Sequence, residues 1–550
     1  MIIITIFNCL ILFSIFGYAF IFKKIVKKNL FYSINNIDFF YGLFILVLLS
    51  LFINFFAPLK FFSIPIVIIG LLLFIYGKKI KIYNINFIFY LITIPVISFF
   101  SYFNGSNVDS PMYHLQVLKW MSEHKISLGL INLEIRLGMN SSWHSFLALM
   151  DFGFKTWSTK YYISNILIAV ITVQVISQKT LSLSNLFLFL SVCYLILFSY
   201  LHPFNNGIIL NHLGNPEVDI ASMVLFFFSI YLFLKLVETN FASKKELTDL
   251  LSVVIFLSIS TKLSNIPLVL IPLYIFFKHK QYFFLNSTHY IILMTSFLWT
   301  ARSFLISGCF LFPVKSTCFS TPWLKSVDKI EHFSKIIMGF ARDTRLRDKY
   351  TNFDYIIDSN QWILPWFQDY FLNTSLLKIS TALLLLSIFL AILFLVLNKS
   401  FYIHNIIKKN VIFILIYFII TALIWFQAPE IRFGWGWIIA FPCLIVSGLI
   451  FHLTYIKKIK QFYFSSILAG LFILLVFKHL EKFQIQHLIL NKKIYSYENI
   501  IKIGNYNNVD FYQSTNSQCL DFIKVCVNQQ KKRYSVVSKF HYKIYLSEDF

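Results

Sequence analysis

The sequence predicts an all-α polytopic membrane protein, about 14 transmembrane helices with a small α/β or mostly β domain at the C-terminal end, and three observations predict it. Hydrophobic residues make up 58% of the chain and charged residues 13%, with a mean hydropathy of +0.72, whereas soluble chains are usually about 45–50% apolar and about 25% charged. Apolar runs of roughly 18 residues, the length that crosses a hydrocarbon core, recur along most of the chain. Lysines gather in short clusters between those runs (Lys23, Lys24, Lys27, Lys28; Lys78, Lys79, Lys81; Lys457, Lys458, Lys460), where the positive-inside rule puts them. The formal net charge of +24 is thus read as membrane topology: the partner is a lipid bilayer, and no nucleic acid is expected.

The first run, residues 2–22, has no basic residue before it and lysines just after it. A cleavable signal peptide has the opposite charge order and a small-residue cleavage site, so this run is expected to stay as a helix with its N-terminus outside. Further helices are expected at residues 41–57, 61–76, 86–103, 161–177, 184–201, 219–236, 250–260, 264–277, 288–305, 376–397, 411–427, 435–455 and 463–478. The loops at 23–40, 77–85, 178–183, 237–249, 278–287, 398–410 and 456–462 each hold lysine. They share one side if the helices alternate, and that side is the cytoplasm. Runs 250–260 and 264–277, each short of about 20 residues, are read as a hairpin turning near Ser258–Asn265, which keeps the alternation. The same alternation leaves the apolar residues 143–154 in an outer loop as a partly embedded segment.

The chain then divides into N-terminal helices 1–85, a core 86–478 and an extracytoplasmic cap 479–550. The core carries outer loops 104–160, 202–218 and 306–375. Three distributions agree with this arrangement. All acidic residues but Asp38, Glu238, Glu246 and Asp249 fall on the outer side or at its edge. Every arginine (Arg136, Arg302, Arg342, Arg345, Arg347, Arg432, Arg533) falls there too. So do two close cysteine pairs, Cys309 with Cys318 and Cys519 with Cys526, while Cys9, Cys193 and Cys443 sit in spanning helices. Paired cysteines in an oxidising compartment favour disulfides over free thiols or a metal, since neither pair is a CxxC.

The first outer loop reads Asn107-Val108-Asp109-Ser110-Pro111-Met112-Tyr113-His114-Leu115-Gln116 and continues to Asn132-Leu133-Glu134-Ile135-Arg136-Leu137-Gly138-Met139-Asn140-Ser141-Ser142-Trp143-His144. Ser110-Pro111 has the chemistry of a first helical turn with Asp109 near its N-cap. Asp109 therefore either caps that helix or, with Tyr113, His114 and Gln116 one turn on, belongs to a polar site. A second acidic pair, Glu217 and Asp219, stands where another helix begins, as dipole-favoured caps or as site residues. Lys262, Arg302 and Arg432 lie at the outer boundary, where the alternatives are snorkelling and function. The cluster Arg342, Asp343, Arg345, Arg347, Asp348 reads as a solvated loop surface.

The Asp109 segment, together with Asn-Leu-x-x-Arg-Leu-Gly-x-Asn-Ser-Ser at residues 132–142, resembles a family of bacterial membrane proteins related to the GT-C glycosyltransferases. Arg302-Ser303…Ser307-Gly308…Pro313, Ala428-Pro429-Glu430-Ile431-Arg432-Phe433 and Thr261-Lys262-Leu263-Ser264 resemble further segments of it, in order, over roughly residues 86–440. The resemblance implies a GT-C-like transmembrane core in a bacterial inner membrane, acting at the extracytoplasmic face. It implies inverting transfer of a sugar from a polyprenyl-phosphate-linked donor to a glycan, lipid or protein acceptor, with Asp109 as the base. His114, Glu217 and Asp219 would then form the acceptor and second acidic site.

The chemistry also follows from the residue types. An attacking hydroxyl must lose its proton, which a carboxylate can accept. A departing lipid phosphate needs cations, for which Lys262, Arg302 and Arg432 are the candidates. A divalent metal is the one cofactor left open, with Asp109 and Asp219 among the oxygen ligands it would need. Two other readings stay open: a polymerase or ligase of lipid-linked glycans that relies on arginines, and a lipid or glycolipid transporter (flippase). Matching halves with paired broken helices, which many transporters show, are not seen in the sequence.

Overall fold

The computed structural model describes residues 1–27, 33–103, 109–152, 162–178, 182–201, 212–239, 244–278, 286–324, 327–342, 359–368, 405–457, 470, 499–506, 509–514, 519, 525–527, 534–539 and 542–547. The helix expected at 376–397, the helix expected at 463–478 apart from Gly470, the start of the cap at 479–498, and the charged cluster from Asp343 to Asp348 lie outside the described residues.

Apolar segments fold as helices because only a helix satisfies its own backbone where no water reaches it. The helices are α1 (Ile2–Lys27), α2 (Phe39–Phe56), α3 (Ser63–Lys79), α4 (Phe87–Phe103), α5 (Leu115–Glu123), α6 (Ser142–Leu149), α7 (Ser164–Ile176), α8 (Leu183–Leu201) and α9 (Asp219–Glu238). They continue as α10 (Lys244–Thr261), α11 (Leu270–Lys278), α12 (Ser287–Ser307), α13 (Asp328–Arg342), α14 (Ile363–Trp366), α15 (Asn405–Phe426) and α16 (Ile431–Lys457). Among the described residues 5 helices are long and apolar enough to cross a membrane: Ile2–Val26, Asn36–Phe56, Asp219–Glu238, Ser287–Ser307 and Ile431–Gly448. Shorter apolar helices run over Phe87–Tyr102, Ser164–Ile176, Leu183–Ile196, Leu263–Lys278 and Ile412–Phe426. The sequence's larger tally of about 14 counted these shorter runs, two segments outside the described residues, and α3 and α10, which carry charges at their ends.

α9 stands at the centre, with α8, α10 and α16 packed on it. α1 packs closely on α2 and α3, because a Cβ on Gly42 would collide with the Ile15 carbonyl and one on Gly70 with Ser14. The outward faces of α3 (Ile64, Ile68, Leu72) and α15 (Ile412, Ile419, Leu423) are apolar and exposed, which suits lipid rather than water. α6 is buried along its whole length, so the apolar stretch at 143–154 begins as a short helix inside the bundle.

The chain reverses at Lys262. Lys262 pairs with Asp219 at the start of α9, whereas the Tyr274 ring packs 6.2 Å from Phe233 near the end of that helix. Residues 263–278 therefore run back alongside α9, as the hairpin reading expects, through a 3₁₀ turn at Leu263–Val269 and then α11.

Bonds between loops sort them into two ends. At one end, Lys23 Nζ meets Asp38 (2.9 Å) and Glu246 (3.0 Å), and the Asn84 N–H donates to the Ile34 carbonyl (2.8 Å). There too, Glu238 accepts the Leu183 N–H (2.6 Å), Asn286 donates to Asp249 (2.8 Å), and Lys278 donates to Asn410 (2.9 Å). These are the lysine-bearing loops. At the other end, Asn132 donates to the Trp323 carbonyl (2.7 Å), Ser141 to the Thr261 carbonyl (2.8 Å), and Arg342 to the Gln427 carbonyl (3.0 Å).

The cap sits on this second end and is β in its described part. Strands β1 (Ile500–Tyr506) and β2 (Val509–Ser514) pair antiparallel, β3 (Val525–Val527) adds parallel to β2, and β4 (Tyr534–Lys539) pairs antiparallel with β5 (Tyr542–Ser547). Gln116 of α5 donates to the Cys519 carbonyl (3.1 Å), and the Tyr545 N–H donates to the Leu128 carbonyl (3.1 Å). Cys309–Cys318 and Cys519–Cys526 are disulfides, while Cys9, Cys193 and Cys443 are free.

Candidate functional site

Asp109 opens a π-helical turn, Ser110–His114, that runs directly into α5. The backbone of Asp109 is already helical and its side chain makes no capping bond. Its carboxylate instead accepts from Arg432 Nη1 at 2.6 Å, and Arg432 Nε reaches Glu430 at 3.5 Å. The N-cap reading of Asp109 thus gives way to an ion pair with a residue 323 positions later. A π-turn fits this displacement, because the extra residue per turn re-aims the side chains that precede α5.

Arg432 lies in the first turn of α16, and its backbone serves the site as well. Lys262 Nζ donates to the Arg432 carbonyl (2.9 Å), pairs with Asp219, and lies 4.9 Å from the centre of the Phe433 ring. Lys262 reaches all three because its own backbone is extended (φ −149°, ψ 119°), breaking α10 at that residue. Next to this pair, Glu217 accepts from Ser110 Oγ (3.0 Å) and is bonded to His212, whose ring packs edge-on to Trp435 at 5.0 Å. Asp109, Glu217, Asp219, Lys262 and Arg432 therefore form one connected cluster at the capped end of the bundle.

Access falls along the cluster. The side chains of Arg432 and Asp109 are 31% and 28% exposed, those of Lys262 and Asp219 are 13% and 10%, and Glu217 is sealed at 1%. The open point is thus the Asp109–Arg432 pair. Burial alone would raise the Asp109 pKa, but the charge and hydrogen bond of Arg432 outweigh it and hold the carboxyl below its ordinary range. Tyr113 is pushed well above its ordinary value, by burial first and then by Asp109 and Asp219.

His114 Nδ1 lies 3.0 Å from His144 Nε2, and both rings are buried. Burial lowers both pKa values, more strongly for His144, which also faces His114 and Arg302. Both rings are therefore neutral at pH 7. Arg302 stands apart from the acidic residues. It is 3% exposed, and its bonds go to Asn54 (3.4 Å) and Asn140, which tie α12 to α2 and to the first outer loop.

Ligand atoms of His212, Glu217 and Asp219 lie within 4.8 Å of one another, a set able to hold a metal ion. Asp109, expected beside Asp219 as a ligand, is turned to Arg432. Sequence reading did not single out Ser110, His212 or His144 as site residues. His212 stands five residues before Glu217, and that spacing was the one available signal.

The chain matches the family described as a domain of unknown function, DUF8201, over residues 1–439, and it belongs to that family. The match includes every residue of the cluster and the N-terminal helices, and stops before the cap. No curated protein and no solved structure matches the chain.

Proposed function

We propose that this member of the DUF8201 family is a membrane glycosyltransferase. It takes a sugar from a polyprenyl-phosphate-linked donor and passes it to a hydroxyl acceptor at the outer face of a bacterial inner membrane. The observation that carries this reading is the Asp109–Arg432 pair, a carboxylate and a guanidinium in contact at the one accessible point of an otherwise buried charged cluster. Single-displacement transfer needs both kinds of group close to the sugar, a base for the acceptor proton and a cation for the leaving phosphate. The lysine-bearing loops at the opposite end support an outward-facing site.

In this mechanism Asp109 accepts the acceptor's proton, and Arg432 faces the phosphate that departs. Lys262 fixes the Arg432 backbone and neutralises Asp219. Glu217, held by Ser110 and His212, orders the turn that carries Asp109. A divalent cation fits His212, Glu217 and Asp219 only if Lys262 leaves Asp219; bound there, it would add positive charge beside the phosphate. Support for transfer over transport comes from the distribution of charge. Neither α9 between Asp219 and Lys235 nor α16 between Arg432 and Lys457 carries an Asp, Glu, Lys or Arg, and the one titratable imidazole there, His452, lies near the lysine-bearing end of α16.

The test is sugar transfer from a pool of polyprenyl-phosphate sugars by the full-length chain in proteoliposomes. Activity abolished by Asp109→Asn in a folded protein supports the reading. Undiminished activity in that variant removes Asp109 as the base and the transferase mechanism with it.

A further inference from the structure

In the resting protein the base and the cation occupy each other. A carboxylate held by a guanidinium is a poor proton acceptor, because the interaction that stabilises its ionised form also lowers its basicity. Nor is a guanidinium bonded to a carboxylate free for a phosphate. Arg432 is nonetheless built to change partners. The backbone around it is clamped: Trp425 Nε1 donates to the Glu430 carbonyl (2.8 Å), the Glu430 N–H to the Ala428 carbonyl (2.9 Å), and Lys262 to the Arg432 carbonyl (2.9 Å). The side chain, by contrast, is about a third exposed and meets Asp109 through one N–H. A guanidinium has five N–H donors and a fork that matches two phosphate oxygens, so a phosphate outcompetes a carboxylate held through one bond.

We propose that Arg432 couples donor arrival to release of the base: it holds Asp109 until an anionic headgroup draws the guanidinium away, freeing the carboxylate only when the donor phosphate is in place. This rests on the transferase reading above and assigns Arg432 a positioning task beyond charge neutralisation. Glu430, reached by Nε, is the pivot that keeps the side chain near the site through the exchange. The acceptor O–H bond then breaks, its proton passing to Asp109, and the oxygen's electron pair forms the bond to the anomeric carbon. The bond from that carbon to the phosphate oxygen breaks, its pair staying on the phosphate, whose added charge faces Arg432. No co-reactant is needed.

A binding cycle on the full-length protein in detergent tests this, with farnesyl phosphate as the probe and intrinsic tryptophan fluorescence as the readout. Arg432→Ala should weaken binding by about tenfold or more. Asp109→Asn should tighten it by about three- to tenfold, since the competing carboxylate is gone. In the Arg432→Ala background that gain should vanish. Arg432→Lys, which keeps the charge and loses the fork, should retain part of it and guards against misfolding of the alanine variant. A gain of equal size in both backgrounds means that Asp109 merely repels anions, which overturns the coupling and leaves the transferase reading standing. Absence of binding by the unsubstituted chain, or binding indifferent to Arg432, overturns both.

Discussion

The two ends of the bundle hold charges in opposite ways. At the lysine-bearing end, Lys23 bridges Asp38 and the more exposed Glu246, and its contact with Asp38 is sealed: those two side chains are 5% and 4% exposed, and the Ser33 carbonyl takes a third N–H at 3.1 Å. At the capped end, Arg432 and Asp109 are several times more exposed and share one hydrogen bond. Both pair a base with two acids, so composition does not separate them. Accessibility and unused donors do. A sealed charge that loses its partner destabilises the fold, because its desolvation is no longer offset. An open one trades partners cheaply, because water screens the difference.

That contrast is sharpest in Asp109→Asn. Turnover should fall about 10²–10⁴-fold, while stability moves by no more than about 1 kcal/mol, as for other partly exposed pairs. Product formation and thermal unfolding, read on the same preparation, check both; a large loss of stability would erase the distinction between the ends. Lys23→Met should do the reverse, costing about 3–5 kcal/mol by leaving Asp38 buried without its cation. Farnesyl phosphate affinity at the far end should be unchanged in whatever fraction stays folded.

Arg302→Met is the intermediate case. It should cost about 1–3 kcal/mol by stranding Asn54 and Asn140 and leave headgroup affinity intact. An affinity loss as large as that of Arg432→Ala would return Arg302 to the phosphate site where sequence reading puts it. The smallest effect concerns pH. Burial lowers the His114 and His144 pKa values in the folded protein, so the unfolded chain, with values near 6.5, binds protons first as pH falls. The stability these neutral rings allow is fully present above about pH 6.5 and is lost below it, by up to about 1 kcal/mol per ring over the first unit. Unfolding midpoints at pH 7.5 and 5.5 check this, and His144→Gln should flatten the slope.

Much of the helical frame was legible because a bilayer imposes a length: the starts of α4, α8 and α9 fall within a residue of the apolar runs that predict them. α10 was legible only in its second half. Its first turns carry Lys244, Lys245, Glu246 and Asp249, and apolarity cannot register a helix that begins outside the hydrocarbon. In the site, Asp109, Asp219, Lys262 and Arg432 were readable as charges at a boundary where charge is costly. Their pairing was not, since the partners are separated by 323 residues for Asp109 and Arg432 and by 43 for Asp219 and Lys262. Arg302 carried the same boundary signal with a different outcome, because asparagines on α2 and the outer loop give it uncharged partners that hydropathy does not reveal.

Gly129 is where three distant parts of the chain meet. Its φ of 66° and the approach of Trp323 and of the Tyr545 carbonyl leave no room for a side chain, and Asn132, three residues on, donates to that carbonyl across a separation of 413 residues. The loop that bears Asp109 is therefore translated early and fastened late. During synthesis the ribosome must finish strand β5 before the loop gains its last anchor. The hold on this loop thus comes from the far end of the chain, and a substitution that unseats β5 should loosen it.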